Sequence, residues 1–372
     1  VTSTANEEIS LFLCGDLMLG RGLDQALPHP GDPRLYEPYV RSALGYVALA
    51  ERVNGPIARP VAFAYIWGDA LLELERRPPM LRIVNLETAI TARGEPWPRK
   101  GIHYRMHPAN APCLTAAGVN CCVLANNHVL DWGRRGLVDT LATLQALGIA
   151  TAGAGCDAAE AAAPAALALP GGGRILVLAL AHRSSGVPWD WSAGQDLEGL
   201  NLLPDLGEAT LERIAAEVRA ARQPGDIVLA SIHWGGNWGY KIPDEQRRFA
   251  HALIDQASVD LVHGHSSHHP RGIEVHRGRL VLYGCGDFLN DYEGIHGYEE
   301  YRGDLSLMYF VTLDSAGRLR RLEMVPMKIQ RFQLRRAAVA DARWLGETLD
   351  REGRALGAGV GLGEDGNLIL QW

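Results

Sequence analysis

Five separate apolar runs in this 372-residue chain each end in a side chain that can hold a metal. LFLCGD ends at Asp16, RIVNLE at Glu87, and VLANNH at Asn127 and His128. IVLASIHW carries His233 near its end, and DLVHGHSSHH brings His263, His265, His268 and His269. Each run is short, β-rich and flanked by polar residues or glycine, which predicts five buried strands. In an open α/β sheet, ligands bind beyond the carboxyl ends of the strands. Oxygen and imidazole donors delivered at five such ends predict one metal site, and with it a metalloenzyme.

The segments between these runs set the fold class. Periodicity and caps predict helices over 40–53, 67–77, 109–117, 134–147, 207–222, 243–257 and 338–352. Hairpins are predicted around Arg277-Gly278 and around Asp314–Gly317. Strand–helix units therefore come first and hairpins later. That order predicts an α/β protein with a mixed pair of sheets and helices outside. Residues 1–335 read as one domain. A helix and a Gly-rich tail, 336–372, pack on the same domain.

Bulk properties exclude several classes of function. The formal net charge is −7 and no long basic run occurs, so a nucleic-acid partner is not expected. The Arg-rich stretch Arg318–Arg336 is interleaved with apolar residues and reads as a strand pair with a solvated face. No apolar run reaches membrane-spanning length. The start, VTSTANEEIS, has neither a basic nor an apolar signal-peptide region. The six cysteines form no C-x-x-C pair and read as reduced core residues of a cytoplasmic protein. TAGAGCDAA matches a dinucleotide fingerprint only in part, and neither a P-loop nor a G-x-S-x-G elbow is present.

Each candidate residue also has a plainer reading. Asp16 and Glu87 can cap helices, and the asparagines of ANNH can stabilise a turn. As metal chemistry, Asp16, Glu87 and the amide of Asn127 are ligands, and the adjacent His128 is an acid/base group oriented by Asp131. A lone histidine such as His233 is usually a core residue, but the Gly-rich loop after it, beginning at Trp234, reads as a pocket wall. Composition does not say which two of the four clustered histidines bind. His265 and His268 flank a Ser-Ser turn and can converge. Asp287, Asp291 and Glu293 either orient the histidines or form a solvated acidic loop. The excursion TARGEPWPRKGIHYRMHP supplies Lys100, His103 and Arg105, which with Arg21 are candidates for gripping substrate anions.

GDLMLGR, NLET, KGIHYRM, LANNHVLDWG, TAGAG, SIHWG, GHSSHHP and YGCGDF occur here in the order found in the CapA family. The chain resembles that family, named for poly-γ-glutamate capsule synthesis, over residues 9–295. The resemblance implies a four-layer α-β-β-α sandwich of the calcineurin-like metallophosphoesterase type, with one or two divalent ions (Mn, Fe or Zn) between the sheets. It implies ligand roles for Asp16, Glu87, Asn127, His233, His265 and His268, with His128 as acid/base. The implied substrate is a phosphoester or glutamyl-type anion. Amide chemistry, or a non-catalytic role in capsule assembly on a glutamyl polymer, are the alternatives. Where the phosphoesterase pattern has D-x-H, this chain has Asp16-Leu17-Met18, and G-H-x-H is lengthened by one residue to Gly264–His268. The missing imidazole predicts that one of two metal positions is weaker.

Overall fold

The computed structural model describes residues 8–372, so most of the polar N-terminal stretch read above, residues 1–7, lies outside the described residues. Four strands build the parallel half of the first sheet: β1 (Ile9–Leu17), β2 (Leu81–Leu86), β3 (Cys121–Val123) and β4 (Ala150–Ala152). The second sheet is built on β5 (Arg174–His182), β6 (Ile227–His233), β7 (Leu261–His265), β8 (Ile273–His276) and β9 (Arg279–Leu282). These five lie in the order β5-β6-β7-β9-β8, parallel except for the β8–β9 hairpin, and two short segments also pair with β5, residues 165–168 antiparallel and 202–203 parallel. The chain then returns to the first sheet. The short β10 (Asp287–Leu289) lies parallel to the end of β1, and β11 (Leu305–Leu313) and β12 (Leu319–Ile329) extend the sheet antiparallel.

Alternation along the second sheet decides what each face does. Ile227 and Leu229 of β6 and Leu261 of β7 belong to a core shared with the first sheet. Val228, Ala230, Ile232 and Val262 point the other way. There they meet Leu211, Ile214 and Val218 of a helix over Glu208–Ala221, and Phe249 and Leu253 of a helix over Asp244–Gln256. Helices over Leu44–Asn54, Asp69–Arg76 and Gly133–Ala146 contribute Val47, Leu74 and Leu137 to the first sheet's core. The result is the expected four-layer α-β-β-α sandwich.

Local departures from expectation have simple causes. Pro108 and Pro112 each restart the chain, so the helix predicted over 109–117 splits into a 3-10 turn, Pro108–Asn110, and a short helix, Pro112–Ala116. The Gly-rich tail is not irregular. Residues 359–362 and 368–371 form a hairpin that joins β12, with Val360, Leu368 and Leu370 buried. The helix before it, Val339–Arg354, is as expected. Among the described residues no helix is long and apolar enough to cross a membrane.

Candidate metal centre

Strand pairing carries the donors to one place. β1 pairs with β2 and with β10 so that Asp16 lies opposite Asn85 on one side and Asp287 on the other. The approach of β10 depends on Gly15: any Cβ there would overlap the Gly286 carbonyl, which accepts the Asp16 N–H at 3.0 Å. In the second sheet His233 of β6 lies opposite His265 of β7. Parallel neighbours in register share a face, so both imidazoles turn inward toward Asp16. The chain then bends at Ser266, whose φ of 98° is unusual for a residue with a side chain, and the Ser266 N–H points at Asp16 Oδ2, 3.3 Å away.

Two groups of donors result, and Asp16 belongs to both. Asp16, His233 and His265 offer ligand atoms within 4.8 Å of one another, as do Asp16, His268 and Asp287. Glu87 Oε1 lies 3.9 Å from His233 Nε2, and the Asn127 amide oxygen lies 3.1 Å from the same nitrogen. Asn85 fixes the carboxylates, its amide donating to Asp16 at 2.7 Å and to Glu87 at 3.1 Å. Asn126 stabilises a turn, its oxygen accepting the N–H groups of His128 and Val129.

A hydrogen-bond chain behind the histidines assigns the proton on His265. His263 Nε2–H donates to the Cys14 carbonyl at 2.9 Å, which leaves Nδ1 to accept from the Ser231 hydroxyl at 3.0 Å. The Ser231 oxygen in turn accepts from His265 Nε2–H at 2.9 Å. The Nδ1 lone pair of His265 therefore faces His233 Nδ1, 2.7 Å away, and accepts its hydrogen, which leaves the His233 Nε2 lone pair toward Asn127 and Glu87.

The electrostatics suit a cation. Burial, then Asp287, pushes Asp16 up to about 7. Burial, then Asp16, pushes Glu87 well above the usual carboxylate range. Burial pushes His233 and His265 well down, which keeps their lone pairs available. His268 behaves oppositely: burial alone would lower it, but Asp287, 2.8 Å away, outweighs burial and raises it. Three buried carboxylates at one point repel each other, and a divalent ion removes that repulsion. Carboxylate, imidazole and amide oxygen together fit Mn, Fe or Zn.

His128 lies beside this group rather than within it. Its Nδ1 is 2.6 Å from Asp131 Oδ2, and its Nε2 is 3.9 Å from Glu87. Lys100 Nζ sits 2.5 Å from Asp131 Oδ1 and 3.0 Å from His128 Nδ1. Burial, then Lys100, lowers His128 to about 4. Asp131 is buried too, but Lys100 and His128 outweigh that and hold it below the usual range. Glu87, Lys100, Asn127, His128 and His268 line a cleft of about 160 Å³ over the donors.

Four residues expected to touch substrate do other things. Trp234 follows His233 on the strand and so points outward. It is fully buried under the helices, its indole N–H donating to the Tyr283 carbonyl at 3.0 Å. The Arg21 guanidinium is committed to Asp291 at 2.5 Å and Glu37 at 2.9 Å, between the rings of Tyr46 and Tyr104. His103 is buried, with Nε2 on the Trp97 carbonyl at 2.9 Å. Arg105 lies over the Trp132 ring at 3.6 Å. Of the expected cations only Lys100 reaches the cleft.

The acidic loop also divides. Asp287 stands among the donors, Asp291 balances Arg21, and Glu293 accepts the backbone N–H groups of Arg331 and Phe332 at 2.7 and 2.6 Å. Sequence reasoning missed Asn85, Ser231, the use of His263, and Asp287 as a donor. The i−2 spacing of Ser231 from His233, and of His263 from His265, was the available signal, since period 2 puts each pair on one face.

A four-layer sandwich with carboxylates, imidazoles and an amide gathered at its strand ends defines an α/β protein with a candidate two-ion centre. The chain belongs to the family described as bacterial capsule synthesis protein PGA_cap, whose sequence profile matches residues 10–292. It is 49% identical over 354 residues to a probable polyglutamine synthesis accessory protein of Mycobacterium tuberculosis (strain ATCC 25618 / H37Rv), covering 95% of this chain and 93% of that one. It is 24% identical over 332 residues to the PGA biosynthesis protein CapA of Bacillus subtilis (strain 168), covering 88% of this chain and 74% of that one. A crystal structure of a phosphatase from Mycoplasma pneumoniae aligns over 87% of this chain and 95% of its own, with a TM-score of 0.49 and 12% identity.

Proposed function

We propose that this protein is a metal-dependent hydrolase acting on a phosphoester. One observation carries the reading: Asp16 is shared by two donor groups, Asp16–His233–His265 and Asp16–His268–Asp287. A carboxylate common to two clusters suits a pair of ions held close together. Asp16, His233, His265, His268 and Asp287 would hold them, and the ions would supply an activated water and stabilise charge on the phosphoryl oxygens.

The chain's own residues do the rest. Glu87 and Asn127 complete the donor set beside His233, and Asn85 holds Asp16 and Glu87 in place. With its pKa lowered to about 4, His128 is neutral at pH 7, and Nδ1–H is held by Asp131. Its Nε2 takes the proton lost by the attacking water and returns it to the leaving oxygen, so the proton balance closes within one turnover. Lys100 keeps Asp131 ionised and places one positive charge at the cleft.

A second reading, an accessory role without turnover in glutamyl-polymer synthesis, draws on the printed name of the mycobacterial relative. Elemental analysis together with a screen of phosphoesters against γ-glutamyl amides separates the readings. Bound metal with phosphoester turnover is expected. Metal with glutamyl-amide cleavage makes the enzyme an amidase, and neither metal nor turnover selects the accessory role.

A further inference from the structure

Beside the metal centre lies a larger cleft, of about 470 Å³, that shares Ile102, Asn237, His268 and Tyr292 with the smaller one. The two volumes therefore adjoin, so the larger is open to whatever is attached to a group held at the donors. Its walls hold a concentration of exposed apolar side chains. Tyr39 is 69% exposed, Tyr298 49% and Ile295 44%. Trp238 stacks on Tyr298 with ring centres 4.1 Å apart and planes 4° from parallel, and its other contacts include the His268 ring at 5.2 Å. An aromatic shelf thus runs from the donor His268 out to solvent.

The charges in this cleft are already paired. Arg21 is held by Glu37 and Asp291, and Arg302 by Asp304 at 2.8 Å and Asp341 at 2.7 Å. Glu293 is engaged by the Arg331 and Phe332 backbone, and Glu299 by the Gly297 N–H. No guanidinium lining the cleft is left over for a second anionic group on the substrate. A chain of carboxylates would find no unpaired guanidinium there.

We infer that this cleft binds a flat, uncharged aromatic group on the leaving side of the substrate, so that the protein acts on aryl-type phosphoesters and not on a polyanionic glutamyl chain. The inference rests on the proposed hydrolase reading for the position of the phosphoryl group. It rests on the cleft alone for the aromatic group. Stacking on the half-exposed Tyr298, backed by Trp238, supplies the selectivity, and ions held by the donors would supply the anion site.

The test is calorimetry on the manganese-loaded full chain with four probes: phenylphosphonate, methylphosphonate, 2-naphthol and a linear γ-glutamyl trimer. Phenylphosphonate is expected to bind roughly tenfold more tightly than methylphosphonate. That preference should vanish in Tyr298→Ala and persist in Tyr298→Phe, which keeps the ring at an exposed position. Equal binding of the two phosphonates overturns the aromatic cleft while leaving the metal centre intact. Binding of 2-naphthol that depends on Tyr298, with neither phosphonate bound, keeps the cleft and removes the hydrolase reading. Failure of every aromatic probe, or tighter binding of the γ-glutamyl trimer than of phenylphosphonate, overturns the inference.

Discussion

His233 and His265 face each other across adjacent parallel strands with their Nδ1 atoms 2.7 Å apart. Two imidazoles cannot both be protonated at that distance in a buried site, and burial pushes both well below the usual histidine range. One Nδ1 donates and the other accepts: His265 Nδ1 is left as the acceptor by its Nε2–H bond to Ser231, so His233 Nδ1–H points at it and the His233 Nε2 lone pair faces Asn127 and Glu87. What holds the pair so is the chain from His265 through Ser231 and His263 to the Cys14 carbonyl, which also ties the second sheet to the first.

Ser231→Ala removes the acceptor for His265 Nε2–H and the donor to His263. The fold should persist, since the change is small and leaves the strand's apolar face untouched. Metal affinity should fall by about 10–100-fold, the usual cost of losing a partner that orients a ligand. Competition against a chromogenic chelator measures it. Unchanged affinity would mean that the serine only fills space.

His128→Ala should lower turnover by about 10²–10⁴-fold and leave metal content unchanged. Metal analysis of the purified variant, run beside the rate assay, decides the role. Loss of metal on this change would make His128 a ligand instead.

Met18, where an imidazole was missing from the sequence pattern, is fully buried, and Asp287 comes beside His268 and Asp16. That position has three donors from this chain, fewer than the one built on His233 and His265. Titration of metal-free protein should therefore give two steps of unequal affinity. Asp287→Ala should abolish the weaker and spare the tighter. Two equally tight sites in the parent protein would refute the assignment.

Metal affinity should also depend on pH in a stated direction. Asp16, raised to about 7, and Glu87, raised by burial and by Asp16, hold protons on the acid side that a cation must displace. Affinity should fall as pH drops through 7 and rise above it, by about tenfold per pH unit for each proton released. Titrations at pH 6, 7 and 8 measure the slope, and a flat profile would contradict the shifts.

Much of the site was legible because its donors sit at the ends of apolar period-2 runs. Asp16, Glu87, Asn127 and His233 lie at such ends, the Ser-Ser turn and the family resemblance single out His265 and His268, and the structure brings all six close together. The same periodicity carried a warning about Trp234: neighbours on a strand face opposite ways, so a residue adjacent to an inward His233 goes to the helix layer. The cation assignments failed for another reason. Whether Arg21 is available depends on Glu37 and on Asp291, which is 270 residues away, and no local pattern encodes that pairing.

The sequence by itself determined the strands, the order of strand–helix units before hairpins, the family and the kinds of donor the site would offer. The strands, their order and the donors follow from side-chain periodicity and residue type, which are local properties, and the family from the order of the motifs. Only the tertiary structure decided which of the like residues serve. Asp287 and not Asp291 joins the donors, because the Gly15–Gly286 approach sets β10 against β1. Lys100 and not Arg21 or Arg105 reaches the cleft, because the other two are already engaged elsewhere. His263 joins a buried hydrogen-bond chain behind the candidate donor His265, because Cys14 of the opposite sheet meets it. Each choice turns on register and on charge pairing between segments far apart in the chain, and these come into being only when the two sheets close on each other.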